Sequence, residues 1–208
     1  MEINWGIFLP ALLLLLYPLD RLLPKRMKGR TCEYLTDPAV RHRHTWWRWQ
    51  PELWVDALRL YVGAWSVNFA VAPVLPDSGK TVQLVIGAVM LAALGSQMFT
   101  RRKEDTVLAP FGFLLAASLV FLPLGAALAT CVLAALAMLA FREYVAFFIA
   151  GAPAAAGLGF VQGGSVAFVA LVAGLFVLPV VVGSLARRKL VLAVRSRADV
   201  ERVVIPLR

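Results

Sequence analysis

The sequence predicts an all-α fold. It reads as a polytopic transmembrane bundle of six or seven spans in a single integral membrane domain, residues 1–208, with the N-terminus outside and the C-terminus cytoplasmic. Three observations carry this prediction. First, 61% of the residues are hydrophobic and only 16% are charged, against roughly 25% charged in soluble domains, so a soluble core of this size cannot hide the apolar surface. Second, the apolar residues come in long blocks rather than at the period of an amphipathic helix or strand. Third, Lys and Arg gather in a few connecting segments, as in the cytoplasmic loops of membrane proteins. That distribution accounts for the net charge of +9 without nucleic acid as a partner.

The first apolar block is Trp5 to Leu23. Glu2 precedes it and Arg21, Lys25, Arg26, Lys28 and Arg30 follow it. A secretory signal has the opposite polarity, so the block is expected to be a retained span, bent at Pro10 and Pro18. Residues 24–50 form a basic, Trp-rich cytoplasmic or interfacial loop. Trp46, Trp47 and Trp49 lie among Arg41, Arg43 and Arg48. Tryptophan prefers the headgroup layer and Arg beside it favours anionic lipid, so these six residues are expected to contact anionic headgroups or a partner. Pro51 suits the first turn of a helix, where its missing N–H costs nothing.

The second span is expected over Glu52–Pro73 and the third over Thr81–Phe99. The cluster Arg101–Asp105 marks the cytoplasm again. The fourth span is expected over Val107–Phe121, and Leu122–Gly125 makes a turn into the fifth, Ala126–Phe141. Residues 142–164 decide the span count. If they cross, every Lys and Arg except Lys80 and the span residue Arg59 falls on one side, which favours seven spans. If the fifth helix simply runs on to Ile149, there are six. The last span is Ser165–Leu185, followed by a basic cytoplasmic tail, residues 186–208, read as a short amphipathic element.

Within the spans a few residues stand out. Glu52, Asp56, Arg59, Gly63 and Ser66 are spaced 4, 3, 4 and 3 apart, which at 100° per residue makes one stripe. Asp56 and Arg59 are at pairing distance. Charges below the headgroups usually face a bundle interior or water. A second stripe, Gln83, Gly87, Met90 and Gln97, would form a polar seam with the first if the two helices face each other. Gly151, Gly157, Gly159 and Gly163 are expected to be packing positions for close helix approach. Alternatively, Pro153 among them would break a helix and line a cavity. His42 and His44 form an H-x-H pair, but the neighbouring arginines oppose a cation. Ser78–Thr81 resembles the end of a phosphate loop but lacks its first glycine. Cys32 and Cys131 make neither a disulfide nor a thiolate site. No catalytic residue, metal or cofactor is expected.

These features point to a non-enzymatic integral membrane subunit. It would be a channel-like oligomer or the membrane anchor of a larger assembly, located in a bacterial inner membrane. Its expected partners are anionic lipids and either further copies of itself or other membrane or cytoplasmic subunits. Two other readings compete: a small-solute transporter using the Glu52–Asp56–Arg59 stripe, and a membrane-embedded enzyme acting on lipid.

Overall fold

The structure is a computed structural model that describes residues 2–17, 27–30, 51–72, 79–99, 106–187 and 189–195. These residues form seven helices: α1 Trp5–Leu16, α2 Pro51–Ala70, α3 Gly79–Phe99, α4 Phe111–Phe121, α5 Leu124–Phe141, α6 Tyr144–Val161 and α7 Val166–Leu185. Four of them, α3, α5, α6 and α7, are long and apolar enough to cross a membrane. The helices α1 and α4 are shorter, at 12 and 11 residues.

The fold is not purely helical. Five short strands accompany the helices: β1 Glu2–Ile3, β2 Met27–Arg30, β3 Val71–Ala72, β4 Thr106–Leu108 and β5 Lys189–Arg195. Strand β1 pairs antiparallel with β3, with Glu2 opposite Ala72 and Ile3 opposite Val71. Strand β5 is the middle of a three-stranded sheet, antiparallel to β2 and parallel to β4. The start of the tail is therefore a strand. Its apolar run Leu190–Val194 is rich in β-branched residues, which suit a pleated surface. Its pairing partners lie far away in the chain, so no local period announces it. Strand β4 also shortens the expected fourth span. Pro110 disfavours helical backbone in the residue before it, and the helix starts at Phe111 rather than Val107.

The strands show how the helices run. Pairing of β1 with β3 sets the start of α1 beside the end of α2. The three-stranded sheet collects the chain after α1, before α4 and after α7. Phe111, at the start of α4, stacks on Phe148 and meets Tyr144 and Phe147 edge to face at the start of α6. A Cβ on Gly125, at the start of α5, would meet Gln162 just past the end of α6. Consecutive helices therefore alternate in direction. One end of the bundle carries the three-stranded sheet; the other carries the β1–β3 pair.

One apolar core draws buried residues from all seven described helices, and its largest side chains lie on α4, α6 and α7. Phe113, Phe148, Phe176, Leu114 and Leu175 are fully buried there. Gly151 lets α6 and α7 close on each other, since a Cβ at that position would lie 2.3 Å from Cε1 of Phe176. At the far end of α6, Gly159 offers its carbonyl to the N–H of Gly164 at 2.8 Å. A Cβ on Gly159 would crowd Val169 and Leu122. Residues 142–164 thus neither extend α5 nor break. Arg142 turns the chain in the left-handed region, with φ 56°, and α6 continues through Pro153, which sits on its exposed side.

Candidate functional site

The charged group worth building from the residues upward is on α2. Glu52 and Asp56 fall in its first turns, where the helix dipole favours negative charge. Arg59 follows Asp56 by three residues, so both lie on one face. The guanidinium of Arg59 donates to Oδ1 of Asp56 twice, through Nη2 at 2.7 Å and Nε at 3.1 Å. Its Nη1 donates to the backbone carbonyl of Leu14 at 2.6 Å and also to that of Tyr17. The Arg59 side chain is 10% exposed and that of Asp56 27%.

The two carbonyls belong to the end of α1, and local chemistry explains why they need a donor. A helix leaves its last carbonyls without intrahelical partners. The carbonyl of Leu14 would ordinarily take the N–H of residue 18, but residue 18 is proline and has none. The cation also complements the negative end of the helix dipole. One turn further on, Gly63 makes room for α1: a Cβ there would lie 2.9 Å from Cγ of Leu15. The Arg59–Gly63 part of the stripe is therefore covered by the end of α1. Ser66, at the far end of the stripe, is half-buried.

The second stripe does not join the first. Helix α3 packs mainly on α1, α7 and β4, and touches α2 only lightly. A Cβ on Gly87 would have its nearest neighbour in Leu171 of α7. Gln83 is half-buried and Met90 fully buried. Gln97 is buried with its Nε2 unpartnered. Two further polar groups, which the stripes did not include, share that state: Ser118 Oγ on α4 and Thr130 Oγ1 on α5. Each is a hydroxyl in a mostly apolar helix, that of Ser118 lying against the Cys131 thiol of α5, and small polar residues in such helices tend to mark helix interfaces.

The four glycines separate into two kinds. Gly151 and Gly159 stand at close approaches between helices. A Cβ at Gly157 or Gly163 would meet nothing within 4 Å, and Gly163 is needed for its positive φ of 74° in the turn after α6. Arg41, Arg43, Trp46, Trp47, Arg48 and Trp49, and with them His42 and His44, lie outside the described residues. Among the described residues no group of three or more His, Cys, Asp or Glu is placed to hold a metal ion.

No protein-family model, curated protein or solved structure matches this chain.

Proposed function

We infer that this protein is a non-enzymatic integral membrane subunit that anchors a larger assembly in the bilayer. One observation carries this reading. The charged pair on α2 is engaged from within: the Arg59 guanidinium is held by Asp56 and by two carbonyls of α1. Such a cation is a clasp between helices, whereas a transport site needs its charge turned toward an open cavity.

The arrangement of the bundle supports seven crossings with the sheet end in the cytoplasm. Open strand edges are not tolerated against hydrocarbon, and the three-stranded sheet has Lys28, Arg30, Lys189 and Arg195 in its strands. Arg142 and Arg187 lie at the same end, while Lys80 begins α3 at the other. This asymmetry matches the positive-inside preference. The basic end then faces anionic headgroups and an acidic partner subunit.

The test is affinity capture of the full chain after cross-linking in native membranes, followed by native mass spectrometry. The reading predicts a defined complex with a second copy or another subunit. It also predicts that Asp56→Asn leaves any solute uptake unchanged when expression is matched. A strict monomer with no partner overturns it, and loss of uptake in Asp56→Asn at normal expression would favour the transporter.

A further inference from the structure

The two sides of the bundle differ in hydrophobic length. On the α1–α2 side the apolar stretch is bounded twice. At one end Arg59 meets the carbonyls of Leu14 and Tyr17, so a charge lies level with the last turn of α1. At the other end β1 and β3 pair directly beyond α1 and α2. Between these limits lie the 12 residues of α1, about 18 Å at ~1.5 Å per residue. From Arg59 to the end of α2 the rise is about 17 Å by the same measure. The two neighbours agree although their lengths come from different residues. Helix α7, by contrast, has 20 residues without a charge, a rise of about 30 Å that matches an ordinary hydrocarbon core.

The exposed side chains repeat the pattern. The outer face of α2 carries Trp54 near the sheet end and Trp65 and Phe69 near the other, all more than half exposed. Trp65 and Phe69 stack at 5.5 Å. Trp5 is 60% exposed at the start of α1, the same end as Phe69. Tryptophan settles at the headgroup level, and Trp54 and Phe69 are only about 22 Å apart along the helix.

We propose that the outer face of α1 and α2 binds a thinned patch of bilayer, so that the hydrocarbon beside it is several ångströms thinner than beside α7. The occupant of this face is lipid acyl chain, drawn in from both leaflets. A short apolar stretch is accommodated by local thinning at a cost of fractions of a kcal/mol per Å. The two aromatic levels set how far the headgroups are pulled. The proposal rests on the reading that the bundle spans the membrane.

The test is site-directed spin labelling of the full-length protein in dioleoyl phosphatidylcholine vesicles, with nitroxide depth read from oxygen and nickel-chelate accessibility. Labels replace Trp54, Leu58, Val62 and Phe69 on α2, and Val166, Val177, Val181 and Leu185 on α7, all exposed positions. The expected result is that Trp54→Cys and Phe69→Cys labels both read at the headgroup boundary, and so do Val166→Cys and Leu185→Cys. In an unthinned bilayer at least one of the two α2 labels would read about 4 Å or more inside the hydrocarbon, and that result overturns the proposal. If the Val177→Cys and Val181→Cys labels read as water-exposed, the spanning reading itself fails. Dierucoyl vesicles give a second readout: the boundary reading at Trp54 and Phe69 persists in the thicker lipid if the face is built for thinning, and is lost if it is not.

Discussion

Arg59 does the work of a missing backbone donor. Pro18 leaves the carbonyl of Leu14 without its helical partner, and the guanidinium supplies one while Asp56 balances its charge. Hydrogen bonds to charged groups contribute about 1.5–3 kcal/mol each when a buried partner would otherwise go unpaired. Arg59→Gln should therefore lower stability by about 2–3 kcal/mol, seen as an earlier unfolding midpoint in detergent. Arg59→Lys should fall between the two, because a point charge cannot reproduce the planar fork. An unchanged midpoint in Arg59→Gln would mean the clasp carries no weight. Half of this cluster was legible in the sequence. The i, i+3 spacing of Asp56 and Arg59 is local and easily read. The carbonyls they serve lie more than forty residues back, and spacing says nothing about contacts at that range. Pro18 was the available signal: a proline four residues after Leu14 removes a donor, and something must replace it.

At the scale of elements, the helices were readable and the strands were not. Long apolar blocks announced α3, α5 and α7 to within two residues at each end, whereas residues 142–164 were left open between a crossing and a longer fifth helix. The boundaries slipped where backbone chemistry intervened, at Pro110 before α4 and at the β3 strand ending α2. The three-stranded sheet escaped notice because β2, β4 and β5 are 4, 3 and 7 residues long, and each makes sense only beside the others. Val107 is 1% exposed in β4 and stands opposite Leu190 in β5, which is also buried, so one face of the sheet is apolar. Val107→Asp would bury an unpaired carboxylate at a cost of several kcal/mol. It should release β5, and limited proteolysis in detergent should then cut the chain after Leu185 faster than in the parent protein. Equal cleavage rates would show that β4 does not hold the tail.

At the scale of the whole molecule, charge and direction agree. Among the described residues α1 runs antiparallel to α2 and α5 to α6, and the two described arginines outside the helices and strands, Arg142 and Arg187, lie at the sheet end. Both have left-handed backbone, with φ 56° and 51°, as they close the last turns of α5 and α7. Trp46, Trp47 and Trp49, between α1 and α2 in the sequence, lie outside the described residues. Among the described residues, Arg142, Arg187 and the Lys and Arg of β2 and β5 gather at one end, and Lys80 stands at the other. The central claim is that α6 is a true crossing, which makes the spans seven and places that basic end inside. The most direct measurement is labelling of Arg142→Cys and Gln162→Cys with a membrane-impermeant maleimide, in a background with Cys32 and Cys131 replaced. The account predicts that Gln162→Cys reacts in intact cells and Arg142→Cys only after permeabilisation. Labelling of both from the same side would contradict it.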